Sequence, residues 1–143
     1  MGQGDNPVVF CGSAYLGFSP IKDTEFIPGE SDLDVAVVDM ATFQSAWMSL
    51  VEATRAFNNL TGFGIFKKPG DVVEKVKTLM IKRGVIHLSY MPISERFDAD
   101  KSFFDDLSKP YRKIFSRINA SFYMSEYEFC WKQDSALQSI LRG

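Results

Sequence analysis

Two short stretches hold the residue types and spacings that can do chemistry: Cys11-Gly12-Ser13-Ala14-Tyr15-Leu16-Gly17, and Ser31-Asp32-Leu33-Asp34-Val35-Ala36-Val37-Val38. Side chains alternate along a strand, so Asp32 and Asp34 point to one side while Leu33, Val35 and Val37 point to the other. Two carboxylates brought side by side repel, and a hard, oxygen-ligated cation such as Mg²⁺ or Mn²⁺ stabilises both in the charged form. A strand that leaves through Gly12-Ser13 into a helical turn offers backbone N–H groups and a hydroxyl to phosphate oxygens. Gly17 allows close backbone approach. A phosphate cradle beside paired acids is the combination that metal-assisted phosphoryl or nucleotidyl transfer uses.

The pattern Gly-Ser-x-x-x-Gly followed by Ser-Asp-x-Asp-x-x-Val, here Gly12, Ser13, Gly17, Ser31, Asp32, Asp34 and Val37, resembles the signature of the nucleotidyltransferase superfamily, whose fold is a DNA polymerase β-like palm. The resemblance covers residues 7 to 39. It implies an α+β fold with a mixed sheet flanked by helices, Gly12 and Ser13 holding a nucleoside triphosphate, and Asp32 and Asp34 binding Mg²⁺. It also implies transfer of a nucleoside monophosphate to a hydroxyl or phosphate acceptor, whether protein, RNA or small molecule. Members of the family usually add a third carboxylate on a later strand, as metal ligand or base. The two later strand candidates, Val85 to Met91 and Ile114 to Met124, contain no Asp or Glu, and the second offers Arg117, Asn119, Ser121 and Tyr123 instead. Glu30, Asp39, Glu126 and Glu128 are the nearby substitutes. The alternative expectation is therefore a catalytically inactive nucleotide-binding or regulatory module of the same fold.

The elements that must position these residues follow from periodicity. Pro7 to Phe10 reads as a buried strand, residues 18 to 31 as a loop, and Leu33 to Val38 as a second strand. Phe43, Ala46, Trp47, Leu50, Val51 and Thr54 recur at helical spacing, with Asp39 or Thr42 as cap. Asn58 to Gly70 is irregular. A second amphipathic helix runs from Asp71 to Arg83 and stops at Gly84. Val85 to Met91 is a strand or extended connector ended by Pro92, and Lys101 to Arg112 a short helix broken at Pro110. Ile114 to Met124 alternates as a strand with an apolar face, and a closing helix spans about Glu126 to Leu141.

Composition bounds the rest. With 143 residues, 45% hydrophobic and 24% charged, the chain is one globular domain's worth of protein. Sixteen Lys plus Arg against 18 Asp plus Glu leave a net charge of -2, which excludes a bulk electrostatic pull toward nucleic acid or acidic membrane. The local exception is the basic run of Lys67, Lys68, Lys75, Lys77, Lys82 and Arg83. It reads as a solvated face, with contact to a triphosphate or RNA backbone as the alternative. Cys11 and Cys130 lie among apolar neighbours without zinc-ligand spacing and read as buried thiols in a reducing compartment. His87, the single histidine, sits between Ile86 and Leu88 and reads as structural. The cluster of Phe122, Tyr123, Tyr127, Phe129 and Trp131 reads as core or interface rather than a base-stacking platform, and thirteen Phe raise the expectation of a homo-oligomer or partner surface. No apolar run approaches a membrane span and the start lacks signal-peptide character, so the expected location is cytoplasmic. Gly2 follows Met1, but Asn6 stands where N-myristoylation expects Ser or Thr.

Overall fold

The computed structural model describes residues 8–19 and 24–142. Pro7, Gly2 and Pro20 lie outside them. Strand β1 (Val8–Cys11) leads through Gly12 into a single helical turn, α1 (Ser13–Leu16), after which two-residue strands β2 (Phe18–Ser19) and β3 (Thr24–Glu25) pair antiparallel. The segment expected to be all loop thus holds a minimal hairpin. Strand β4 (Leu33–Val38) and helix α2 (Met40–Thr54) follow, then a short 3₁₀ turn and helix α3 (Pro69–Arg83). Strand β5 (Val85–His87) is shorter than the apolar run predicted, because Leu88–Tyr90 closes into a 3₁₀ turn ahead of Pro92. Helix α4 (Glu95–Ser108), strand β6 (Ile118–Tyr123) and helix α5 (Glu126–Leu141) complete the chain.

Local chemistry sets the helix ends. Asp39, not Thr42, caps α2: its carboxylate accepts from the Thr42 amide at 2.7 Å and the Thr42 hydroxyl at 2.6 Å. Pro69 opens α3 at a position where its missing N–H costs nothing, and Gly84 closes it in the left-handed conformation. Ser94 and Ser125 cap α4 and α5 through bonds from the Phe97 and Tyr127 amides. The Ser94 cap is why α4 begins six residues ahead of the expected Lys101, and Arg96–Asp100 and Lys101–Asp105 pairs support its exposed flank.

The four longer strands form one sheet in the order β1-β4-β6-β5. β4 and β6 run parallel, Leu33 beside Ile118 through Val38 beside Tyr123, while the other two pairings are antiparallel. The fold is therefore α+β with a mixed sheet. One face of the sheet, with Val35, Ile118, Ala120, Phe122 and Ile86, packs on Phe43, Ala46 and Leu50 of α2 and on Val73, Val76 and Met80 of α3. Leu50, Phe63 and Val85 are completely enclosed, and burial of each such side chain contributes roughly 1.5–3 kcal/mol. The other face carries Ala36, Val38, Val85 and Tyr123, which pack with Leu79 and Phe129 beneath α5.

Strand β1 and the two cysteines, all expected to be buried, are not: Val8 and Phe10, on the edge strand of the sheet, are more than half exposed. Cys130 is exposed and Cys11 only half-buried. On a helix, neighbouring residues point about 100° apart, so the flanking Phe129 and Trp131 say little about which way Cys130 faces. Ser121, on the polar side of the expected strand, is buried under α5, and so is Tyr123, which the aromatic cluster reads as core or interface. No helix among the described residues is long and apolar enough to cross a membrane.

Candidate active site

The end of β1, the turn of α1 and the starts of β4 and β6 meet at one end of the sheet. Cys11 lies beside Asp34 across the β1–β4 ladder, and Asp34 beside Asn119 across the β4–β6 ladder. Asn119 joins the two acids: its side-chain amide donates to Asp32 Oδ2 at 2.8 Å and to Asp34 Oδ1 at 3.4 Å. Asp32 and Asp34 therefore share a side, as strand alternation predicts.

Asp32 receives two more donors from the loop entering β6, the Ser116 hydroxyl and, at 3.1 Å, Arg117 Nε. That loop is held against the Asp32 segment by Ser116 N to Ser31 O (3.0 Å) and Leu33 N to Arg117 O (2.9 Å). Residues 114–117, read as strand, are this loop. Partial burial acts to raise the Asp32 carboxyl, but hydrogen bonds from Ser116, Asn119 and Arg117 and the guanidinium charge outweigh it and hold the group below the usual carboxylate range. The Arg117 side chain is 63% exposed, so the pair adds little stability and its guanidinium can turn away into solvent.

Gly12 closes the other flank. It adopts φ 73°, ψ -159°, and a Cβ built there falls inside contact distance of Asp34 Oδ2. As the cap residue of α1, Gly12 brings no side chain to its first N–H groups, and its backbone lies against the Asp34 carboxylate. Cys11 packs at the same corner, its Sγ 3.6 Å from the Asp34 carbonyl oxygen that accepts from it. Burial, then the Asp34 charge, pushes this thiol up to about 11.

The substitutes for a third carboxylate stand elsewhere. Asp39 caps α2 at the far end of β4, Glu126 and Glu128 follow the far end of β6, and Glu30 lies exposed in the turn before Asp32. Across from Asp34, the position on β6 that faces both acids is Asn119. Among the described residues no three His, Cys, Asp or Glu side chains cluster tightly enough to hold a metal alone. What is present is a hard oxygen pair, the two carboxylates, with the Asn119 amide turning its N–H donors toward them. The pair suits a Mg²⁺ ion that takes its remaining ligands from phosphate and water.

Deeper on the same face a hydrogen-bonded network runs under α5. Ser121 Oγ and His87 Nδ1 are 2.5 Å apart, His87 Nε2 is 3.4 Å from Lys132 Nζ, and Lys132 donates to Tyr123 Oη at 2.9 Å. An imidazole protonated on Nδ1 satisfies both of its contacts. Burial, with the Lys132 and Lys75 charges, pushes His87 down to about 3, so the ring is neutral and structural as its sequence context suggests. Ser116 and Lys132 had no sequence signal; Arg117 and Asn119 lay on the expected strand face, but nothing local tied them to Asp32. Compared with family models, with curated proteins and with solved structures, the chain matches none.

Proposed function

We propose that this chain is a nucleotidyltransferase-type protein that binds a nucleoside triphosphate with Mg²⁺ and moves its nucleoside monophosphate to a hydroxyl or phosphate acceptor. The observation that carries the reading is the convergence of Gly12 and the two carboxylates: a bare backbone corner, where a phosphate can approach, lies against Asp34, with Asp32 on the same side. Gly12 and Ser13 bind phosphate oxygens through N–H and hydroxyl donors. Asp32 and Asp34 hold the cation, which when bound neutralises triphosphate charge and acidifies the attacking hydroxyl. Arg117 now supplies the positive charge beside Asp32. When a cation takes that role, the exposed guanidinium is free to pair with a phosphate oxygen.

A second reading rests on Asn119. An amide where a third acid would face the site cannot serve as a base for the acceptor hydroxyl, which favours a module that binds Mg²⁺ and nucleotide without transfer. Incubation with each α-labelled nucleoside triphosphate and Mg²⁺ or Mn²⁺, with and without cell extract as acceptor source, separates the two. Label transfer that is lost in Asp32→Ala/Asp34→Ala establishes the enzyme. Mg²⁺-dependent thermal stabilisation by nucleotide without transfer, with transfer gained in Asn119→Asp, establishes the binding module. Neither transfer nor stabilisation refutes both.

A further inference from the structure

A groove of about 480 Å³ runs between the end of α3 and α5. It lies beside Gly84 and Met124, at the opposite end of β6 from Asp32 and Asp34. That volume is in the range of small-molecule sites, roughly 300–1,000 Å³. Its walls combine two chemistries. Tyr127 and Trp131 form an edge-to-face pair with centroids 6.1 Å apart, and at 69% and 57% exposure both keep ring surface open to the groove's mouth. Lys82, Arg83 and Lys132 bring three cations to the same cleft, and none takes part in an ion pair among the described residues. The one acid in the lining, Glu128, accepts from the Ser125 hydroxyl at the start of α5.

Lys132 is the most telling member. It is largely enclosed and its partners Tyr123 Oη and His87 Nε2 are uncharged, which leaves its third N–H without a partner among the described residues. Burial, with Arg83 adding repulsion, lowers its pKa, while Cys11 and Asp34 oppose the shift. Arg83 and Lys132, near enough to repel each other, with Lys82 and open aromatic rings in the same cleft, in a chain of net charge -2, fit an anion that carries a flat π surface.

We propose that this groove binds a nucleoside phosphate, with the base against Trp131 and the phosphate on Arg83 and Lys132. The source is either a free nucleotide or the 5′-phosphorylated end of a single strand. The site stands apart from Asp32 and Asp34, and its occupancy does not depend on transfer there.

The test uses the full chain carrying Asp32→Asn/Asp34→Asn, in EDTA, so that neither carboxylate nor metal contributes. Tryptophan fluorescence is titrated with AMP and with a 5′-phosphorylated pentanucleotide, and calorimetric titration with the same ligands measures affinity in every variant, including Trp131→Leu, which lacks the quenched ring and keeps only Trp47 on α2. Both ligands are expected to quench in the double-Asn chain, and Trp131→Leu to weaken binding about fivefold to 150-fold, the range of one stacked base. Arg83→Gln and Lys82→Gln, both at exposed positions, are expected to weaken it as well. Equal affinities for the two ligands identify the free nucleotide, and tighter pentanucleotide binding identifies a strand end. The proposal is overturned if binding survives Trp131→Leu and Arg83→Gln unchanged, if the double-Asn chain fails to bind, or if pyrophosphate or a polyglutamate peptide competes as well as AMP.

Discussion

Gly12→Ala tests the packing of the active-site corner. At φ 73°, ψ -159°, Gly12 occupies a region essentially closed to residues with a Cβ, and occupying it costs on the order of 1–3 kcal/mol. The new methyl would also press on Asp34 Oδ2 and come within 3.2 Å of Asp34 Cβ and Cγ. Displacing a packed group of that kind costs about 1–3 kcal/mol, for a combined loss of roughly 2–6 kcal/mol. For a domain of this size that lowers the melting temperature by roughly 7–20 °C. Gly17→Ala is the control, since Gly17 also has positive φ, 81°, but nothing within 4 Å of its added methyl; it should lose only about 1–2 kcal/mol. Urea unfolding of Gly12→Ala, Asp34→Ala and the double variant completes a cycle. Removing the carboxylate should recover about 1 kcal/mol of the Gly12→Ala penalty. If Gly12→Ala costs no more than Gly17→Ala, or if the cycle shows no coupling, Gly12 does not pack against Asp34 and the geometric basis of the site fails.

Two other outcomes follow from buried groups. His87 is held near 3 in the folded chain against 6.5 in its ordinary state. Below pH 6.5 the unfolded chain therefore takes up a proton that the folded one refuses, and stability falls toward pH 3 with a slope of up to about 1.4 kcal/mol per pH unit. Urea midpoints measured from pH 7 to pH 4 should lose that share of their slope in His87→Gln; an unchanged slope would show that the ring protonates in place. Cys130 is exposed and Cys11 is pushed up to about 11, so iodoacetamide at pH 8 should label Cys130 at least tenfold faster, since the thiolate is the reacting form. Peptide mass spectrometry over time gives the ratio, and equal rates would refute the burial and charge argument for Cys11.

Helices α2 and α3 were legible because each keeps an apolar stripe at helical spacing over about four turns, with a stop such as Gly84 where α3 ends. β4 was legible because two acids alternate with Leu33, Val35 and Val37. The carboxylates' convergence followed from that alternation alone. Their partners did not: Ser116, Arg117 and Asn119 sit 84 to 87 positions along the chain, and only the β4–β6 register, a long-range pairing, brings them to Asp32. The same applies to His87, whose flanking Ile86 and Leu88 announce burial but not Ser121 or Lys132. Tyr127 and Trp131 were grouped with Phe122 and Tyr123 by proximity in sequence. The boundary at Ser125 separates them, with the first pair on the open side of a helix and the second in a central strand. Cys130 was misread for a related reason, since apolar neighbours predict burial along a strand far better than around a helix.

The order of the sheet has a kinetic consequence. β6 lies between β4 and β5 but comes late in the sequence, after both, so the central strand is inserted into a gap between its neighbours. Closing a loop of some eighty residues before any β4–β6 contact forms is slow compared with local helix formation. Until it closes, Asp32 and Asp34 have neither the Asn119 amide nor Arg117 to offset their mutual repulsion, and the earlier elements gain nothing by holding the two acids together. The carboxylate pair thus becomes an assembled site only in the step that completes the sheet, and partly folded chains carry its residues without its geometry.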